Sequence, residues 1–114
     1  MLKRTHHCGE LRSTDAGATT VLAGWVNTYR DHSKGLVFID LRDRTGLTQV
    51  VFDLEDVPAD VVELAQGLRR EDVIAVKGSV RLRDGGSNDK IETGKIEVLA
   101  SELKVLNKAE VSPT

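Results

Sequence analysis

The chain has 114 residues, 39% of them hydrophobic and 30% charged, with a formal net charge of −2. That length suits one domain with its own core and is too short for two, and no apolar run approaches the ~20 residues of a membrane span. Cys8 is the one cysteine, which excludes an internal disulfide; with no apolar signal stretch at the N-terminus, the expected location is a reducing cytoplasm.

The charge is unevenly spread. Residues 53–72 carry seven acids and two bases, while the rest carries 14 bases and 11 acids. Local charge, not the sum, sets the field at a binding face. A modest positive surplus suits a reader of a few nucleotides better than a protein that wraps long DNA.

In chain order, Thr5-His6-His7-Cys8 reads as extended, and Glu10-Leu11-Arg12 as a turn of helix before Asp15-Ala16-Gly17. Thr20 to Arg30 is the first long strand, with Gly24 marking a bulge or sharp coil inside it. His32 to Gly35 forms a loop. The second strand alternates, with Val37, Ile39 and Leu41 on one face and Leu36, Phe38, Asp40 and Arg42 on the other. Asp43-Arg44-Thr45-Gly46 is a tight turn, with Gly46 free to take a positive φ, and the third strand runs from Leu47 to Phe52.

Val57 to Arg70 is the one predicted helix. Val57, Val61, Leu64, Ala65 and Leu68 form its apolar stripe, Pro58 suits its first turn, Asp56 or Asp53 its cap, and Arg69-Arg70 its C-terminal dipole. A fourth strand follows over Asp72–Arg83, with Ile74, Val76, Val80 and Leu82 facing inward and Ala75, Arg81 and Arg83 among those facing outward. A loop follows at Asp84–Asp89. The fifth strand runs from Lys95 to Leu106, broken near Ser101, with Ile96, Val98 and Ala100 inward and Lys95, Glu97 and Leu99 outward. Residues 1–108 read as the domain and 109–114 as the start of a linker. Three strands, a helix and two further strands is the order of an all-β, five-stranded Greek-key barrel, the oligonucleotide/oligosaccharide-binding (OB) fold. A small α+β domain with a meander is the alternative.

One residue breaks the pattern. Phe38 is an aromatic in a polar row. In an OB-fold, strands two and three carry the binding face, where an exposed ring can stack an unstacked base. Gln49, outward on strand three, offers both a donor and an acceptor, and Glu97, outward on strand five, accepts. Arg30, Arg42, Arg44, Arg81 and Arg83 supply cations for phosphates or stacking. The plainer reading makes Phe38 a packing residue under a loop or partner domain, and Gln49 and Glu97 a solvated or cross-strand polar pair. His6-His7-Cys8 has no second ligand cluster and cannot close a four-coordinate metal site. No nucleophile motif or glycine-rich phosphate loop is present, so neither catalysis nor a cofactor is expected.

Arg4-Thr5-His6-His7-Cys8-Gly9-Glu10-Leu11-Arg12, Leu22-Ala23-Gly24-Trp25-Val26-Asn27, Arg30-Asp31-His32, Phe38 to Arg44 and Thr93-Gly94-Lys95-Ile96-Glu97-Val98 occur in this order. Together they resemble the N-terminal anticodon-binding domain of bacterial-type aspartyl-tRNA synthetases, over residues 4 to 108. The resemblance implies an OB-fold that binds the anticodon stem-loop of aspartate tRNA. Phe38 would stack on the middle anticodon base, Gln49 would read the last base, and Glu97 and Arg30 would contact the anticodon bases. Asn88 aligns with an asparagine of the family's strand four–five loop. His32, with the glycines Gly85-Gly86, resembles the members that also charge asparagine tRNA.

The chain also departs from the family pattern. Thr28-Tyr29-Arg30 keeps only the last of three arginines found in many members, and the loop through Ser33-Lys34 is one residue longer. The catalytic domain, to which ATP and Mg would belong, is absent from these 114 residues. The expectation is a monomeric recognition domain of a homodimeric class II ligase, unable to charge tRNA alone. A stand-alone single-stranded nucleic-acid binder and a protein-interaction scaffold are the competing readings.

Overall fold

The computed structural model describes residues 2–32, 35–83 and 86–109. Ser33, Lys34, Asp84, Gly85 and residues 110–114, most of the expected linker, therefore lie outside the described part. The described elements are β1 (Thr19–His32), β2 (Leu36–Asp43), β3 (Gly46–Asp53), α1 (Ala59–Gln66), β4 (Val73–Leu82) and β5 (Ile96–Asn107), with a 3₁₀ turn at Ser13–Asp15. The strands close into a barrel in the order β1-β2-β3-β5-β4. Every pairing is antiparallel except β3 with β5. Period-two alternation fills the barrel: Val37, Ile39 and Leu41 from β2, Val50 and Phe52 from β3, and Ile96 and Val98 from β5 are fully buried.

β1 serves two neighbours. Thr19–Trp25 pair with β4 and Trp25–His32 pair with β2. Gly24 lies where the strand passes from one partner to the other. It is not a bulge, because pairing runs through it without a shift. A Cβ there would sit 2.2 Å from the Arg42 carbonyl oxygen, so glycine is required by close approach. The bulge comes at Asn27, where the register with β2 slips between Val26 and Thr28. β5 slips beside Lys77 and Gly78, which leaves Ser101 as the extra residue, and the Ser101 hydroxyl donates to the Lys77 carbonyl at 3.1 Å.

The helix differs most from expectation. It spans only Ala59–Gln66, begins at Pro58, and has no side-chain cap from Asp56 or Asp53. Asp53 instead stabilises the preceding turn by accepting from the Glu55 amide at 3.0 Å. Ala65 and Leu68 join the barrel core and Val61 packs against it, Val57 and Val62 are buried beside it, and Leu64 is 45% exposed. The predicted stripe holds at Val57, Val61, Ala65 and Leu68 and fails at Leu64, while Val62, outside that stripe, is also buried. The last turn tightens to three-residue spacing at Gly67 and Leu68, leaving Arg69-Arg70 beyond the helix. Two rows of β4 also differ: Leu82, which ends the strand at the barrel rim, is 58% exposed, and Ala75 is buried on the outer side. Leu11 is fully buried, and the helical turn lies after Arg12 rather than at it.

Two carboxylates tie segments to the barrel. Asp43 accepts from the Cys8 amide (2.9 Å) and from the Thr45 amide and hydroxyl (2.8 and 2.6 Å). The Thr45 hydroxyl accepts in turn from the Gly9 amide at 2.9 Å, pinning the N-terminal segment to the β2–β3 turn. Burial and the nearby Asp43 charge push the Cys8 thiol well above its ordinary value. Asp72, fully buried, accepts from the Arg69 and Ala109 amides (2.8 and 2.7 Å) and from Lys108 Nζ (2.6 Å). Burial pushes the Asp72 carboxyl up, but these hydrogen bonds outweigh it and hold the group below the ordinary carboxylate range.

The sign of the pH dependence follows. The unfolded chain binds the Asp72 proton more tightly, so this stabilisation is complete above the unfolded value of ~4 and is lost as pH falls through the folded value. Asp72→Asn is expected to cost ~1–3 kcal/mol at neutral pH and to flatten the acid limb of stability. Urea midpoints measured from pH 7 to pH 3 test this. Parallel curves for the two proteins would rule out the role.

Candidate nucleic-acid interface

The outer face of the barrel is built row by row. Arg30 pairs with Phe38 and Thr28 with Asp40 across β1 and β2. Phe38 then pairs with Val51, and Asp40 with Gln49, across β2 and β3. β3 and β5 run parallel, with Val50 opposite Val98 and Val51 opposite Leu99, which brings Gln49 level with Glu97. Arg81 completes the row opposite Glu97. Residues from all five strands thus meet in one band.

Gln49 and Glu97 are buried, at 8% and 3% exposure, although both lie in outward rows. They cover each other. Gln49 Nε2 donates to Glu97 Oε1 at 2.8 Å, Arg81 Nε donates to Glu97 Oε2 at 2.8 Å, and Arg30 Nη2 donates to Gln49 Oε1 at 3.1 Å. Glu97 can only accept and Arg30 can only donate, so the orientation of the Gln49 amide is fixed. Arg30 also lies 3.6 Å from Asp40, which accepts from the Thr28 hydroxyl. The chain of contacts runs Asp40, Arg30, Gln49, Glu97, Arg81. The cross-strand polar pair that competes with base reading is therefore present, and it belongs to a longer network.

Phe38 stands half-buried at the end of this band, and the His32 ring meets it edge-on at 4.8 Å between centroids and 65° between planes. His32 closes β1 rather than opening a loop. Arg83 donates Nε to the Ile96 carbonyl at 3.1 Å. Burial lowers its pKa below the usual guanidinium value, and Asp40 and Glu97 oppose that shift, so Arg83 lies in the field of the same carboxylates. Asn88 is placed differently. Its amide donates to the Gly94 carbonyl at 2.8 Å, and its side chain accepts from the Lys90 amide at 3.1 Å, which makes it a loop-shaping residue of the β4–β5 connection. Asp40 and Thr28 are the participants that pattern reading missed. The signal was Asp40's outward place between Phe38 and Arg42.

Residues 20–106 match the tRNA anti-codon family, an OB-fold nucleic acid binding domain. The chain belongs to this family. The aspartate–tRNA(Asp/Asn) ligase of Anaeromyxobacter sp. (strain K) is 58% identical over 112 residues, covering 98% of this chain and 18% of that relative. The chain thus spans under a fifth of the length of the curated relatives it matches first. The asparaginyl-tRNA synthetase of Pyrococcus horikoshii, solved with asparaginyl-adenylate, gives a TM-score of 0.80 at 29% identity, over 99% of this chain and 24% of that one. OBody AM2EP06, solved bound to hen egg-white lysozyme, also gives 0.80 at 29% identity, covering 94% of this chain and 96% of its own.

A network that fixes the Gln49 amide must show energetic coupling. In a double-mutant cycle, Gln49→Ala and Glu97→Ala are expected to be non-additive by about 1–2 kcal/mol in unfolding free energy. Additive losses would mean that the two side chains do not hold each other.

Proposed function

We propose that this OB-fold domain reads the anticodon loop of aspartate tRNA, and of asparagine tRNA, as the recognition module of an aspartate–tRNA ligase. The observation that carries the reading is Phe38. It is a half-buried ring on the outer sheet face, beside an amide and a carboxylate already oriented by the Arg30–Gln49–Glu97–Arg81 network. The 58% identity to an Asp/Asn-type ligase supports the choice of RNA and the inclusion of asparagine tRNA.

In this reading the middle anticodon base stacks on Phe38. Gln49 keeps one amide hydrogen and one lone pair for the edge of the last base, because Glu97 and Arg30 use only the other two. Glu97 and Arg30 approach neighbouring bases from either side of Gln49, and Arg81 and Arg83 keep positive charge beside the Glu97 carboxylate. The groups are oriented before RNA arrives, so little ordering entropy is lost on binding. Aminoacyl transfer, with its ATP and Mg, lies with the catalytic domain of such ligases.

Phe38→Ala is expected to lose the stacking free energy of ~1–3 kcal/mol, a roughly 5- to 150-fold weaker affinity for the aspartate anticodon stem-loop. Unchanged affinity would remove the stacking role. Competition with oligo-dT tests the sequence-tolerant alternative. Displacement of the stem-loop by an equal concentration of oligo-dT would favour a general single-strand binder.

A further inference from the structure

The same outer face carries a second aromatic in a basic setting. Trp25 pairs with Arg42 across β1 and β2, and Arg42 lies in the same outward row of β2 as Phe38 and Asp40. Phe38 and Arg42 are four residues apart on one strand, about 13 Å at ~3.3 Å per residue. The bulge at Asn27 falls on β1 between Trp25 and Arg30, the residue opposite Phe38, and re-aims Trp25 relative to the Phe38 end of the face. Trp25, half-buried, lines a cleft of about 580 Å³ with Arg4, His7, Asp43 and Arg44. An adjoining recess of about 350 Å³ brings Arg42 to the same ring.

The arginines here differ from those of the base-reading band. Arg12, Arg30 and Arg81 are each paired with a carboxylate. Among the described residues no ion pair joins Arg4, Arg42 or Arg44 to an acid. The one acid in the cleft is Asp43, and its oxygens are already used by the Cys8 amide and by Thr45. Those bonds also fix the turn that carries Arg44 and the segment that follows Arg4, so the cations are presented on a rigid frame.

We propose that Trp25, Arg4, Arg42 and Arg44 form a second RNA contact that holds the phosphate backbone of the stem leading to the loop read at Phe38. This rests on the anticodon reading above. Guanidinium groups beside an indole face suit phosphate and ribose, with no requirement for base identity. A position about 13 Å from the stacked base is reached by nucleotides flanking that base, and in a hairpin these lead into the paired stem. An acidic protein surface is the rival occupant. RNA is favoured because the patch continues the row that ends at Phe38.

Trp25 is the chain's one tryptophan, so its emission reports this patch alone. Titration of the full chain with the aspartate anticodon stem-loop is expected to quench that emission. A loop-only strand is expected to bind without quenching it. Arg42→Gln/Arg44→Gln, at two exposed positions, is expected to weaken stem-loop binding by roughly tenfold and to lower the salt slope by about 1–2. It leaves loop-strand affinity unchanged. Phe38→Ala weakens both probes and keeps the salt slope. If the double variant binds the stem-loop like wild type with the same slope, or if Trp25 emission does not change at saturation, the second contact is overturned. In that case weakened binding by Phe38→Ala still upholds the anticodon reading. If Phe38→Ala also has no effect, both fall.

Discussion

Gln49 sits between a group that can only donate and a group that can only accept. Arg30 and Glu97 take one atom each of its amide, and neither could exchange places with the other. The rest of the outer face is arranged around that constraint. Asp40 holds Arg30, the Thr28 hydroxyl bonds Asp40, and Arg81 holds the far oxygen of Glu97. A buried amide and carboxylate are costly to desolvate unless every partner is in place. The network meets that requirement with residues from β1, β2, β3, β4 and β5, so the surface chemistry depends on closure of the whole barrel.

The acidic stretch 53–72, which gives the chain its negative sum, serves the fold. Asp53 shapes the turn before α1, Asp60 lies in the first helical turn, and Asp72 clamps Arg69, Lys108 and Ala109. The basic residues Arg30, Arg42, Arg44 and Arg81 are carried by the opposing strands and their turn. A net charge near zero therefore hides two populations with different work.

Much of the barrel was legible because alternation is a local signal. Val37, Ile39 and Leu41 declare one face of β2 without reference to anything distant, and the extra residue at Ser101 shows as a break in the β5 pattern. The helix was legible except at its edges: Val61, Ala65 and Leu68 pack on the core as their spacing says, but the docking of α1 against β2, β3 and β5 leaves Leu64 exposed and buries Val62. Gln49 and Glu97 were legible as a cross-strand polar pair, but their burial was not. They are 48 residues apart, and the parallel β3–β5 pairing that joins them is short. Alternation could say that both point outward; it could not say that they cover each other. Asp40 was hidden for the same reason, since its importance comes from Arg30 on another strand.

That short parallel pairing has a further consequence. Strand register is set by which side chains the interior accepts, and a slip of one residue turns every side chain to the other face. In β5 such a slip would carry Glu97 inside and Val98 out. A carboxylate in the barrel interior would lose Arg81 and Gln49 together, with no other partner to receive it. The residue proposed to meet the RNA thus also polices assembly: a misaligned barrel is penalised at the position where the proposed site is built.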